Sequence, residues 1–434
     1  MSGLAKFKKY ESYKQIEFKN VGDIPEHWES STVGRLCFIS RGRVISTEEI
    51  GENEGEYPVY SSQTLSDGVM GRINTYDFEG EYCTWTTDGA NAGTAFFRKG
   101  KFNCTNVCGT LKNKDKRINI KFLSYYINTV SNYYVRPDIN PKLMSNEMSS
   151  IVVVIPTTLE QLKIAVFLDR ETAKLDGLIS RKQRLIELLK EKRQALITHV
   201  VTKGLDPHAK MKDSGVEWIG EIPEGWEQQP LKHLIQHQVN GVWGKDPQGD
   251  INDIECIRIP DFNRNTLSLK DNEKTIRNIL PKELKNKKLQ IGDLLIEKSG
   301  GGENAPVGQV VIVNELPSIP TVCSNFISLI RIKTDFNSKF VNYLFAAMYF
   351  SKFTRQFVNQ TTGIQNLNLP ELLIQKVFIP TLTTQCEIAS FLDNESNRIE
   401  LLIDKLQTQI TKIQEYRQAL ITEAVTGKID VRGM

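Results

Sequence analysis

The six residues RQALIT stand at 193–198, within LLKEKRQALITHVVTKGLD, and again at 417–422, within IQEYRQALITEAVTGKID. Laying 155–206 over 379–430 needs no gap and matches 24 of 52 positions. Ile155-Pro156-Thr157 meets Ile379-Pro380-Thr381, and Phe167-Leu168-Asp169 meets Phe391-Leu392-Asp393. This is an internal duplication. Each copy reads as a long helix. No proline or glycine falls between Pro156 and Gly177, between Gly177 and Gly204, or between Pro380 and Gly427. Apolar residues recur every seven positions at Leu392, Ile399, Leu406, Ile413 and Leu420. The first copy gives Leu168, Leu175, Leu189 and Leu196, with Lys182 as the one break. Leu178, Leu185, Leu402 and Ile410 are expected to widen the stripe. That is coiled-coil periodicity, so these nine heptad residues are the candidates for helix pairing.

Charge points to the partner. Residues 159–206 carry ten Lys/Arg and seven Asp/Glu, while 383–430 carry five and eight, giving +3 against −3. A helix of one sign beside one of the other favours pairing within the chain. Gly177 and Lys182 soften the first seam, where a bend is expected.

A second duplicated marker lies upstream. VGDIPEHWE at 21–29 matches IGEIPEGWE at 219–227, at a distance of 198 where the helices repeat at 224. The second half is therefore longer by 224 − 198 = 26 residues between its markers. The implied organisation is an N-terminal segment (1–29), a variable block (30–154), a helical spacer (155–206), a linker with the second marker (207–227), a second block (228–378) and a second spacer (379–434). The blocks alternate β-formers with Gly/Asn turns, as in YCTWTTDGANAGTAFF and DLLIEKSGGGENAPVGQVVIV, and read as mixed α/β domains. Gly80-Glu81-Tyr82 can be laid on Gly292-Asp293-Leu294, and Cys104-Thr105-Asn106 on Cys323-Ser324-Asn325. The fold class is α+β: two globular domains joined by two long antiparallel coiled-coil helices, with an internal pseudo-twofold repeat.

The bulk properties are permissive. The chain has 434 residues, 40% hydrophobic and 25% charged, with a net charge of +3. Any basic surface must then be local. No apolar run approaches the roughly 18 residues of a membrane span, and the N-terminal residues lack the apolar core of a secretory signal. Seven scattered cysteines suit reduced thiols in the cytoplasm.

Catalytic motifs are missing. Sixteen prolines include no Pro-Pro, which an amino-methylating Asp-Pro-Pro-Tyr type of loop requires. Gly300-Gly301-Gly302 and Gly308 are followed by no Gly-Lys-Ser/Thr, so a phosphate-cradling Walker loop is not formed. Asp271, Glu283 and Lys285 match a metal-nuclease spacing, but PKELKNKK reads as a solvated charged helix. Cys104 and Cys108 have no second pair for zinc. His233 and His237 share a possible helical face without an acidic third ligand. No metal site and no catalytic residue is assigned. The remaining design is two dissimilar readers on a paired scaffold.

At this point the chain resembles a known family. The IPEHW/IPEGW block, the helix entry from Leu159 to Asp169, the RQALI exit and the stretches YPVYSSQTLSDGVMG, TWTTDGANAGT and GDLLIEKSGGG resemble the specificity subunit of type I restriction–modification enzymes over nearly the whole chain. The resemblance implies two target-recognition domains that each read half of an asymmetric, bipartite double-stranded DNA target. It implies partners: two methyltransferase subunits and motor–endonuclease subunits, which would carry S-adenosylmethionine, ATP and magnesium, with no cofactor on this chain. The alternatives are a coiled-coil scaffold without DNA readout and a fused methylase–nuclease.

If DNA is the partner, loops of the blocks should touch it. Candidates in the first block are Arg41, Arg43, Tyr60, Ser62, Gln63, Asn91 and Lys142. In the second they are Lys245, Arg264, Lys298, Ser299, Asn304, Gln365 and Asn366. Arg and Lys suit guanine edges or phosphates, and Asn and Gln suit adenine.

Overall fold

The computed structural model describes residues 7–16, 21–137, 139–302, 305–316, 319–361 and 363–434. Two compact units partition the chain: Met1–Arg181 with Thr408–Met434, and Lys182–Gln407. The duplicated segments are continuous helices, Thr158–Lys203 of 46 residues and Leu382–Val425 of 44. Gly177 does not interrupt the first one. A glycine inside a helix costs about 1 kcal/mol relative to alanine, too little to break one of this length.

In the first unit the block folds as a six-stranded sheet. Its order is Cys37–Arg41, Cys108–Asn113, Phe78–Thr86, Ala95–Cys104, Glu54–Tyr60 and Val69–Ile73. All neighbours run antiparallel except Glu54–Tyr60, which lies parallel to Ala95–Cys104. Cys83, Trp85 and Leu111 bury against Phe122, Leu123, Tyr126 and Ile127 of the helix Ile120–Val130. The same core takes Ile164, Phe167 and Leu168 from one long helix and Leu420, Ile421, Ala424 and Val425 from the other. Ile24 and Trp28 of the IPEHW marker are fully buried there. A Cβ on Gly427, at φ +75°, would sit 2.4 Å from Pro25 Cδ and 3.0 Å from the Trp28 ring. The marker therefore seats on the glycine that ends the helix.

The second unit repeats this plan. Its six-stranded sheet runs Ile235–Asn240, Ile327–Ile332, Leu294–Glu297, Val310–Ile312, Ser268–Leu269 and Phe262–Asn263. Its first four strands follow the first sheet in order and direction, and Ser268 then lies parallel to Ile312. The outer hairpin of Phe262–Asn263 and Ser268–Leu269 is the added element: it falls between Ile257 and Thr275, where the first block has only the loop from Tyr60 to Val69. The helix Ser338–Phe350 covers the sheet. Two three-stranded sheets complete the unit: Thr275–Asn278, Asp253–Ile257 and Thr321–Cys323, and Ser299–Gly300, Ile364–Leu367 and Val358–Thr361. Both have counterparts in the first unit: Ile257 runs parallel to Cys323 as Tyr60 does to Cys104, and the pairing of Asn366 with Ser299 and Asn359 answers the bridges of Lys142 to Asp88 and Arg136.

Register corrects one sequence match. Leu111 faces Cys83 and Ile39 in the first sheet; Ile330 faces Leu294 and Gln238 in the second. Leu294 thus occupies the place of Cys83, not of Tyr82. The one-residue slip matters because it exchanges sheet faces: Cys83 and Leu294 both point into the helix-covered core.

Two of the identities shared by the helix copies, a Gln and an Asp, are explained by contacts to the sheet-covering helices and the residues that lead into them. Gln161 accepts from the Asn119 backbone N–H at 2.7 Å and donates to the carbonyls of Arg117 and Pro156 at 2.7 and 2.8 Å. Gln385 accepts from the Asn337 N–H at 2.9 Å and donates to the Pro380 carbonyl at 2.9 Å. Eight residues on, Asp169 takes the Tyr125 hydroxyl at 2.9 Å and pairs with Lys121. Asp393 takes the Tyr343 hydroxyl at 2.8 Å and Lys339 at 2.6 Å. Each block is fastened to its long helix by the same Gln, Asp, Lys and Tyr.

Helix pairing is antiparallel within each unit. In the first, Lys163 reaches the Arg432 carbonyl at 2.9 Å and Asp176 holds Arg417 at 2.8 and 3.1 Å. In the second, Arg193 holds Glu400 at 2.7 Å. These two ion pairs are equivalent under the 224-residue repeat. Of the heptad residues, Leu168, Leu392, Ile399 and Leu420 are buried, and Leu175, Leu189, Leu196, Leu406 and Ile413 are half-buried. Ile410 is buried, but Leu178, Leu185 and Leu402 are 41–45% exposed. The apolar stripe is narrower than expected, closer to the seam of a two-helix pair than to a helix embedded on several sides.

Two further expectations are corrected. His233 lies in a single turn, Leu231–Leu234, and His237 in the following strand, so they share no helical face. PKELKNKK is helical only over Pro281–Leu284, because Asn286 turns left-handed at φ +61°.

Candidate nucleic-acid interface

One turn occurs in both blocks at the same place on the sheet. In the first, Cys104-Thr105-Asn106 closes with Cys108 N–H donating to the Thr105 carbonyl at 3.0 Å. In the second, Cys323-Ser324-Asn325 closes with Ile327 N–H on the Ser324 carbonyl at 3.0 Å. The edge strand must pass beside it, and a glycine lets it do so. A Cβ on Gly42 would lie 2.1 Å from the Cys104 oxygen, and one on Gly241 2.2 Å from the oxygens of Cys323 and Ser324. Neither glycine has positive φ. Space alone selects them.

Around the first turn the structure gathers Arg41, Arg43, Tyr60, the loop holding Asn91, and Lys142. Arg43 N–H donates to the Cys104 carbonyl at 3.1 Å, and Thr105 N–H to the Tyr60 carbonyl at 2.8 Å. Arg41 reaches the Asn106 carbonyl, Thr87 Oγ1 at 3.4 Å and Asp88 Oδ2 at 3.5 Å. Thr87 and Asp88 bridge onward, with Leu143 N–H on the Thr87 carbonyl at 2.9 Å and Asp88 beside Lys142. Arg43 is held by Glu49 at 2.6 Å and Asp77 at 3.1 Å, and that guanidinium keeps the Glu49 carboxyl below its usual range. Its fork is oriented, but its charge is already matched by two acids.

Ser62 and Gln63 sit on the loop that follows Tyr60, and a residue the sequence did not single out shapes it. Arg98 is 3% exposed. It donates to Asp67 Oδ2 at 2.6 Å, to the Asp67 carbonyl at 2.7 Å and to Thr84 Oγ1 at 3.3 Å. Its guanidinium lies 3.6 Å from the Tyr60 ring centroid. Ser66, Asp67 and Gly68 are successively left-handed, at φ +50°, +57° and +76°. A left-handed non-glycine residue costs roughly 1–2 kcal/mol, so this loop persists because Arg98 and the Gly68 carbonyl, bonded to Ser61 N–H at 3.0 Å, hold it. Leu65 projects from its tip, 81% exposed.

In the second block Lys298, Ser299, Gln365 and Asn366 come together. Ser299 Oγ donates to Asn366 Oδ1 at 2.7 Å, Leu367 N–H to the Lys298 carbonyl at 2.8 Å, and Lys298 N–H to Phe326 of the repeated turn at 2.8 Å. Gln365 is buried and accepts from Val307 N–H at 3.3 Å, so it shapes the glycine-rich loop from beneath. Asn359 and Gln360 lie exposed across the hairpin from Asn366 and Gln365; sequence reading missed them. Arg264 pairs at 2.6 Å with the buried Glu297, whose pKa burial raises despite that partner. Lys245 is set apart from this cluster, bridged through backbone to Asn278 at 2.9 and 3.0 Å. Asn304 lies outside the described residues.

These ends present amides, hydroxyls and cations at strand termini, the groups that bond base edges and phosphates. Among the described residues no group of three or more His, Cys, Asp or Glu side chains converges as metal ligands would, and no helix is long and apolar enough to cross a membrane. The type I restriction modification DNA specificity domain matches twice, over residues 25–188 and 223–412. The chain belongs to that family. A type I specificity subunit of Mycoplasma pneumoniae is 32% identical over 362 residues, 82% of this chain and 86% of that one. The specificity subunit of the type I restriction enzyme MjaVIII from Methanocaldococcus jannaschii is 26% identical over 97% of this chain and 98% of its own. Among solved structures, a chain from a study of complex assembly and conformational transition of the type I R-M system shares the fold, with a TM-score of 0.62 at 15% identity over 93% of this chain and 98% of that one. The two family matches fall one on each copy of the repeat, each covering one variable block with most of the helix that follows it.

Proposed function

We propose that this chain is the non-catalytic reading subunit of a type I restriction–modification complex, in which each block reads one half of an asymmetric, bipartite DNA target. The observation that carries this is one sheet and one glycine-relieved turn built twice, with different side chains around the turn. In the first block Arg41, Arg43, Ser62, Gln63, Asn91 and Lys142 stand at that end; in the second, Lys298, Ser299, Asn359 and Asn366. Each half-site then gains about 1–3 kcal/mol of discrimination per good bidentate base contact. Joining two weak readers on one chain raises affinity by roughly 10²- to 10⁴-fold without new contacts.

On this reading the chemistry belongs to partners. Two methyltransferase subunits would carry S-adenosylmethionine, motor–endonuclease subunits would carry ATP and magnesium, and all would assemble in the cytoplasm. Methylome sequencing of a host with and without the chain tests the proposal. A bipartite motif should vanish on deletion, and exchange of 30–154 for another recognition domain should change one half-site only. No change in methylated motifs on deletion would refute it.

A further inference from the structure

The second unit carries a lysine-rich groove that the base-reading end does not use. Lys282, Lys285, Lys287 and Lys288 fall within seven residues. Lys282, Lys285 and Lys288, together with Arg331, border a groove of about 530 Å³. Lys282, Lys285 and Lys288 are exposed and Lys287 half-buried. Among the described residues none of the four has a carboxylate partner. The two nearby acids are committed: Glu283 accepts from Leu280 N–H at 3.2 Å, and the buried Asp293 holds Arg331 through two bonds of 2.7 Å.

The backbone under these lysines is fixed. His237 Nε2 lies 3.0 Å from the Asn286 carbonyl, Arg331 donates to the Lys288 carbonyl at 3.1 Å, and Leu289 N–H bonds Thr321 at 2.9 Å. Leu284 and Leu289 anchor the segment in two apolar clusters. Asn286 takes the left-handed conformation that turns the chain between Lys285 and Lys287. A merely solvated lysine run needs no such frame. Like charges on one short segment repel one another, and among the described residues no carboxylate lies within ion-pair distance of these lysines. The compensating anion must come from outside.

We infer that this groove holds the sugar–phosphate backbone of duplex DNA beside the half-site read by the second block. The inference rests on the DNA-reading function proposed above. Three ammonium groups along one groove suit a row of phosphates. A single inorganic phosphate would be expected to meet converging backbone N–H groups instead. Such contacts position the protein and carry no sequence information.

The test compares the full-length chain with a K282Q/K285Q/K288Q variant, binding a duplex that carries the methylome-defined target and one with that target scrambled. Each lost phosphate contact lowers the slope of log affinity against log salt by about 0.9. The triple variant should lose a slope of about 2–3, so that from 50 to 200 mM salt its affinity falls roughly fortyfold less than wild type. Its preference for target over scrambled duplex should stay unchanged, and K282R/K285R/K288R should keep the wild-type slope. A triple-Gln variant with wild-type slope and affinity overturns the inference while leaving DNA reading intact. A loss of target preference with slope unchanged overturns it too, by making the lysines base readers. A wild-type chain that cannot tell the two duplexes apart overturns the DNA-reading proposal, and this inference with it.

Discussion

The two RQALIT copies place an arginine at equivalent points, yet the two should differ severalfold in energetic weight. Arg193 Nη1 meets Glu400 at 2.7 Å, with side chains 6% and 23% exposed; Arg417 meets Asp176 at 2.8 Å, with side chains 33% and 52% exposed. Breaking a buried pair by deleting one partner costs about 3–5 kcal/mol, because a charge is left without solvent or counter-ion. Glu400 keeps partial access to water, so Arg193→Met should cost roughly 2–4 kcal/mol, discounted from that range. An exposed pair is screened and contributes about 0–1 kcal/mol, so Arg417→Met should fall there. The Met side chain preserves much of the apolar stem and isolates the charge. Urea unfolding of the full chain, followed by fluorescence, measures both variants. Adding Glu400→Gln to Arg193→Met should recover more than half the loss, since the orphaned charge is then gone. Equal costs for the two arginines, or no recovery in the double variant, would refute the burial argument.

Asp169→Ala and Asp393→Ala should each cost about 2–3 kcal/mol, one tyrosine hydroxyl left unsatisfied plus a weak lysine pair; adding Tyr125→Phe or Tyr343→Phe should restore about half, read by the same unfolding assay. Gly42→Ala must displace the Cys104–Thr105 turn, which its Cβ would meet at 2.1–2.4 Å. It should blur the first half-site in the methylome and leave the second intact, and Gly241→Ala should do the reverse. Stability should fall at alkaline pH: burial pushes the thiols of Cys37, Cys256 and Cys323 up to about 12. Between about pH 9 and 12 the unfolded chain releases protons the folded chain retains, so the stabilisation is complete below about 9 and declines toward 12. Cys256→Ala should flatten the fall of the unfolding midpoint with pH by about one proton's share.

Much of this architecture is legible because it depends on short-range pattern. Seven-residue periodicity and a gap-free repeat locate both helices, and Gly/Asn turns separated by β-formers locate the sheets. Even the Gln and Asp of the helix entry show as identities, although only the structure reveals that they clasp a neighbouring helix. What escapes is set by distant partners. Arg98 sits in a strand with Lys99 and Lys101, and nothing local says that its guanidinium, unlike theirs, turns inward to clamp Asp67. Gln365 and Asn366 are adjacent and chemically alike, but strand alternation buries one and exposes the other. The Leu294 match fails by one position because a β-register is fixed by cross-strand bonds, which a pairwise alignment of loops with insertions does not contain. PKELKNKK has helical composition throughout, and tertiary bonds from His237 and Arg331 stop the helix after one turn.

The pattern of what repeats and what does not follows from these constraints. Four of the side chains that join block to helix appear twice: Gln161 and Gln385, Asp169 and Asp393, Lys121 and Lys339, Tyr125 and Tyr343. So do the glycines that let the edge strand pass the turn, Gly42 and Gly241. Such positions are confined by close packing and buried bonds, where most substitutions cost more than 1 kcal/mol. Beyond the turn the confinement ends. The first block places a strained loop under Arg98 there, and the second a hairpin with exposed amides. A loop at the rim of a rigid sheet can change composition without disturbing the core beneath it. A protein required to hold its fold while altering what it reads would therefore vary where these two blocks differ and keep what the helices and the turn demand. The asymmetry of the bipartite target is, on this argument, a direct consequence of one scaffold carrying two unlike rims.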